Sequence, residues 1–183
     1  MIDLVQAIAD LDQEPELHAA RLLVLLSTFA EGEQGNSIEG LTKLAKLDFL
    51  LRYPVMLERA LNAKARSTAD VKLEEHERFS VESQMVRYRF GPWDHRYREF
   101  LNILTGKGLA SIRVEGRTVV VSITDEGRAC AERISADQTF EPYLRRARVL
   151  KRHFDLTATS LMRFIYDTFP EVISLRSNDP ITP

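Results

Sequence analysis

The tightest constraint on how this chain can fold lies between Ala110 and Ile123, where two alternating runs stand on either side of a glycine. Ala110, Ile112 and Val114 alternate with Ser111, Arg113 and Glu115; then Val119, Val121 and Ile123 alternate with Thr118, Val120 and Ser122. A period of two sends successive side chains to opposite faces, so each run reads as a strand and Glu115-Gly116 as the tip of a tight hairpin. Helical patterns flank this hairpin. Upstream, Tyr97, Phe100 or Leu101, and Leu104 form an apolar stripe on a helix expected over Asp94 to Thr105, with Asp94 accepting from its first free amides and Gly106 or Gly108 ending it. Downstream, Thr124 is placed to cap a helix in which Gly127, Ala131 and Ile134 share a face whose small members permit close packing.

The N-terminal half reads as helices. Glu16 to about Ala30 is apolar on most sides, as in a helix buried among others, and Glu31 to Gly40 is a loop by its glycines, Asn36 and Ser37. Leu41, Leu44, Leu47 or Asp48, and Leu51 follow at helical spacing, with Lys43, Lys46 and Arg52 on the other side. Pro54 disfavours helix at Tyr53, and Val55 to Ala65 resumes as a second short helix. Lys64 to Val81 is charged and poor in apolar residues, as in an exposed insertion, and Met85 to Phe90 suggests a short strand ending at Gly91-Pro92. Tyr143 to Phe154 and Thr157 to Phe169 complete the helices, and Asp179 to Pro183 reads as a frayed tail.

Helices, strand, helix, two-stranded hairpin and closing helix is the order of a winged helix-turn-helix, so the expected class is α+β, mostly helical. With 183 residues, 44% hydrophobic, there is apolar material for one core. The expected organisation is a single domain, 1–183: a winged-helix core over 17–135 with an exposed insertion near 64–82, and a C-terminal helical extension over 141–170. The longest apolar stretch, Leu22 to Leu26, falls far short of a membrane span and no leader precedes it, so a soluble, cytoplasmic protein is expected. The single cysteine, Cys130, excludes an internal disulfide and reads as a structural residue on a packing helix.

Catalytic and cofactor signatures are absent from the sequence. Gly106-Lys107-Gly108 lacks the spacing and hydroxyl of a phosphate loop, and His18, His76, His95 and His153 form no metal-binding pair. Glu74, Glu75, His76 and Glu77 are better read as solvated charge than as metal ligands. No enzyme, cofactor or metal is therefore expected.

Charge is unevenly distributed. Met1 to Gly40 holds eight acidic residues against Arg21, a net of −7, whereas the remainder is +5. Arg96, Arg98 and Asn102 on the helix before the hairpin, with Arg113 and Arg117 around the hairpin, are the residue types a winged helix presents to phosphates and groove edges. Arg89, just before Gly91-Pro92-Trp93, is better read as structural, stacked on Trp93 or paired with Asp94. Arg145, Arg148 and Arg152 lie along one side of a helix in a segment without acids, as a DNA-backbone stripe, an acceptor for an acidic partner or a solvated face. Near-neutral overall charge favours docking to protein over DNA.

Two motifs carry a family resemblance. Residues 41–54, LTKLAKLDFLLRYP, and residues 89–97, RFGPWDHRY, together resemble the middle component of bacterial ABC three-component systems, which include the Lamassu-type antiphage defences. The likeness extends from about Arg21 to Ile134. It implies a non-catalytic winged-helix subunit that links an ATPase resembling structural-maintenance-of-chromosomes (SMC) proteins to an effector such as a nuclease, with contact to double-stranded DNA left open. The competing class is a dimeric winged-helix transcriptional regulator, for which Leu161, Phe164, Ile165 and Phe169 are available as dimer contacts, with ordinary core packing the better reading of them.

Overall fold

Helix α1 (Pro15–Phe29) carries apolar residues on most of its sides and is buried on most of them, with Leu22 to Leu26 inaccessible to solvent. A helix of that kind has to be surrounded. In the computed structural model, which describes residues 14–30, 37–79 and 84–183, α1 is packed by α4 (Tyr97–Gly106), α5 (Asp125–Ser135) and α6 (Glu141–Phe154). Helix α2 (Leu41–Arg52) lies against α6 and α7 (Ala158–Thr168). Pro54 opens α3 (Pro54–Ala63), as its position predicts, and a short α8 (Pro170–Ser174) follows α7. The buried side chains make one cluster that runs from Ala19 to Ile181. The fold is mixed α+β and mostly helical, and no helix among the described residues is long and apolar enough to cross a membrane.

The hairpin forms as its alternation predicts, with β4 (Ala110–Glu115) antiparallel to β5 (Thr118–Ile123) and Glu115 opposite Thr118. Its tip lies one residue later than expected, at Gly116 and Arg117, where Gly116 supplies a positive φ. Ser37 to Glu39, expected to be loop, form β1, which pairs with β5 and sets Ile38 opposite Val121. The sheet order is therefore β1-β5-β4. The pairing buries Ile38, which outweighs the loop-like composition around it. The rest of that loop, residues 31–36, lies outside the described residues, as do residues 80–83 of the insertion.

Thr124 caps α5 as expected: its Oγ1 accepts from the Gly127 amide at 2.9 Å and donates to the Gly108 carbonyl at 2.7 Å. Gly127 is required there, because a Cβ would stand 2.0 Å from the Leu109 carbonyl oxygen.

Two expectations are corrected. The chain does not end its strand at Gly91-Pro92; β2 (Val86–Tyr88) turns through Arg89 and Phe90 into β3 (Gly91–Trp93). Pro92 is tolerated because Arg87, opposite it, directs its own backbone groups to the C-terminal tail. The tail is docked rather than frayed. Arg87 N–H donates to the Asp179 carbonyl at 2.9 Å, Ile181 is fully buried, and the Tyr53 hydroxyl donates to the Ile181 carbonyl at 2.8 Å. The described residues of the insertion are mostly exposed, as expected, but the segment is anchored: Val71 is fully buried, and Glu77 accepts from Arg146 at 2.7 Å.

Candidate functional site

Leucines and Phe49 surround so much of α2 that little of it is left to face water, and the polar residues between them are buried too. Lys46 and Arg52, expected on an outer face, are 2% and 6% exposed, and Asp48 is 0% exposed. Buried charge has to be paired or neutralised. Asp48 is paired by three elements at once. It accepts from Arg21 Nε of α1 at 3.0 Å, from Arg52 Nε one turn along α2 at 2.9 Å, and from the Tyr97 hydroxyl of α4 at 2.7 Å.

The network continues outward. Arg52 Nη1 donates to Asp94 at 2.7 Å, and Asp94 accepts from the Arg96 amide at 2.9 Å and from its Nε at 3.1 Å. At the inner end Arg21 lies 2.7 Å from His18 Nδ1, and the His18 ring packs on Phe100. Burial alone would raise the Asp48 carboxyl, but the charges of Arg21 and Arg52 outweigh it and hold the group well below the carboxylate range. Asp94 is lowered in the same way against its own burial, by Arg96 and Arg52. Burial and Asp48 push the Tyr97 hydroxyl well above its ordinary value. Asp48, Asp94 and Tyr97 are thereby each held in one protonation state near neutral pH, and Asp48, Arg21 and Arg52 are closed to solvent. The network ties α1, α2 and α4 to one another.

The surface residues singled out in the sequence divide among separate places. Arg96, Arg98 and Asn102 border one shallow hollow on α4 together with Glu99. Arg96 is 29% exposed and its guanidinium is held by Asp94, while Arg98 and Asn102 are exposed. Arg113 on β4 is paired to Glu115 at 2.6 Å. Arg117, at the hairpin tip, lines a different cleft that includes Arg89, Trp93 and Lys46. Arg89 stacks over Tyr88, 5.7 Å from its ring centre, rather than on Trp93.

The α6 run is less uniformly positive in space than in sequence. Arg145 is paired to Glu141, and Arg152 to Asp70 at 3.2 Å. Arg146 is buried against Glu77, and Lys151 binds Asp155. Arg148 is exposed beside a hollow lined by Ser27, Thr28 and Glu132.

Leu161, Ile165 and Phe169, considered above as dimer contacts, are fully buried in the chain's own core, and Phe164 packs against that core. Of the acidic N-terminal segment, Asp3, Asp10, Asp12, Glu31 and Glu33 lie outside the described residues. Among the described residues no group of three or more His, Cys, Asp or Glu side chains is arranged to hold a metal ion.

Two features escaped the sequence reading, the buried network and the cleft around Lys46. The signal for both was present in α2: a helix with leucine on nearly every side leaves no wet face for Lys46, Asp48 and Arg52. No protein-family model, curated protein or solved structure matches this chain.

Proposed function

We propose that the chain is a winged helix-turn-helix that serves as a non-catalytic accessory subunit, linking an SMC-like ABC ATPase to an effector such as a nuclease. The order α1-β1-α2 and then, after α3 and the β2-β3 hairpin, α4-β4-β5, with β1 pairing beside β5 in the sheet, supports the winged-helix reading. In it α4 takes the recognition position and β4-β5 is the wing. The two sequence motifs that carry the family resemblance meet side chain to side chain: Asp48 and Arg52 of the first bind Tyr97 and Asp94 of the second. Their tandem occurrence is then the signature of one architectural unit.

One observation carries docking over DNA reading. On β4 of the wing, Val114 is 68% exposed and Ile112 is 39% exposed, while Arg113 between them is neutralised by Glu115. A strand that meets phosphates gains from free cations, whereas exposed apolar residues beside a mixed polar face suit a protein partner. Arg98, Glu99 and Asn102 on α4 provide such a mixed face.

The test is a pull-down of an SMC-like ABC ATPase from the native host, comparing the parent chain with the double variant Arg98→Glu, Val114→Asp. The reading expects the complex to be lost while thermal stability is kept, because both residues are exposed. Retention of the complex by the variant would move the docking surface away from α4 and β4, whereas no complex with the parent chain, together with specific binding of a palindromic duplex by a dimer, would replace the subunit reading with the regulator reading.

A further inference from the structure

The N-terminal end of α2, the β2-β3 hairpin and the hairpin tip at Arg117 enclose a cleft of about 440 Å3, a volume typical of small-molecule sites. One wall is aromatic, formed by Tyr88, Phe90 and Trp93, and Phe90 is 55% exposed there although large and apolar. The charged lining is Lys46, Arg89 and Arg117 against Glu39 alone.

Lys46 makes this cleft more than an apolar groove. Its side chain is almost wholly buried, and its Nζ donates only to the Thr42 carbonyl, at 3.3 Å, with no carboxylate in ion-pair range among the described residues. An ammonium has three protons to place. Burial without a counter-charge pushes it down to about 8, which marks the missing partner. Beside it, α2 starts after Gly40 with no side-chain cap, and Gly40, Leu41 and Thr42 line the same cleft. An uncapped helix N-terminus and a buried lysine without a carboxylate partner among the described residues line the same cleft, and both favour an anion.

We propose that this cleft binds a nucleoside monophosphate, with the phosphate held by Lys46 and the first amides of α2 and the base stacked on Trp93 and Phe90. Three cations against one carboxylate leave two positive charges, which match a phosphate monoester close to −2 at neutral pH; a carboxylate would offset half of that. Arg89 and Arg117 flank the phosphate, and the aromatic wall supplies stacking to any base. A free nucleotide and the 5′ end of a strand present the same group. This site is independent of the docking surface on α4 and β4.

Calorimetric titration of the full chain with AMP, GMP, CMP and UMP, against the matching nucleosides, tests the proposal. Trp93 is the only tryptophan, so its fluorescence reports on this cleft alone. The expected result is nucleotide binding with quenching of Trp93, nucleosides being at least about tenfold weaker. Lys46→Met, which keeps the length and removes the charge, should cost about tenfold or more in affinity. Arg117→Ala, on an exposed turn, should also weaken binding and serves alone if the first variant does not fold. A short oligonucleotide with and without a 5′ phosphate distinguishes the two sources, tighter binding of the phosphorylated strand than of the nucleotide assigning the site to strand ends. Absence of heat and quenching with all four nucleotides, equal binding of nucleosides, or affinity unchanged in the variants would overturn the proposal.

Discussion

Replacing Asp48 with asparagine removes one charge and almost no volume, so it isolates what the buried network contributes. Asp48 has no solvent exposure and binds Arg21, Arg52 and Tyr97, all within 3.0 Å. In the variant Arg52 keeps Asp94, but among the described residues Arg21 keeps only His18, and an amide N–H₂ group is brought against arginine donors. Breaking a buried ion pair from one side costs about 3–5 kcal/mol. For a domain of this size each kcal/mol lowers Tm by about 2–4 °C. Asp48→Asn should therefore lower Tm by roughly 10 °C, read by circular dichroism or scanning calorimetry. Arg152→Ala, which breaks the exposed pair with Asp70, should leave Tm nearly unchanged. A double-mutant cycle of Asp48→Asn with Arg21→Met should show strong coupling. A loss below about 1 kcal/mol for Asp48→Asn, or an additive cycle, would refute the claim that this network fixes the helices.

Arg96 and Arg98 should separate: Arg96→Glu sets a carboxylate against Asp94 and should lower Tm, whereas Arg98→Glu should not, as parallel melts would show. Gly127→Ala drives a Cβ to 2.0 Å from the Leu109 carbonyl oxygen; the backbone shift this forces should cost about 1–3 kcal/mol or more in urea unfolding. The folded-state values of Asp48 and Asp94 lie below those of the unfolded chain. Their contribution is thus complete above about pH 4 and is lost as pH falls through the folded values, so urea midpoints should drop in that acidic window and drop less in Asp48→Asn. Lys46 has the opposite consequence. Its folded value, about 8 against 10.5, means that the unfolded chain binds the extra proton, so Lys46→Met should be more stable than the parent at pH 7, by up to about 3 kcal/mol, with the advantage fading as pH rises from 8 towards 10.5.

Local rules made much of the fold legible. The alternation over residues 110–123, the Thr124 cap, the helix break at Pro54 and the all-round apolarity of α1 each depend on neighbours within a few positions. What was not legible depends on partners far along the chain. Arg21 meets Asp48 across 27 residues and Arg52 meets Asp94 across 42, so a periodicity argument places Arg52 outside when its counter-ion draws it in. Likewise β1 is three residues long and is a strand only because β5 pairs with it. The C-terminal tail is ordered by β2 and Tyr53, which no local pattern announces. The basic run on α6 was visible as a run, but Asp70 and Glu77, brought to it by the insertion, could not be placed from sequence. The exposure of Arg98, Asn102 and Arg113 was legible because stripe and hairpin set their faces, whereas Lys46 was read as exposed for the same reason as Arg52.

The most direct test of the central claim is to purify the tagged chain from its native host and identify by mass spectrometry what elutes with it, with and without nuclease treatment. The adaptor reading predicts a large coiled-coil ATPase recovered with the chain whether or not nuclease is present. Recovery of the chain alone as a dimer, with specific DNA that nuclease removes, would contradict it.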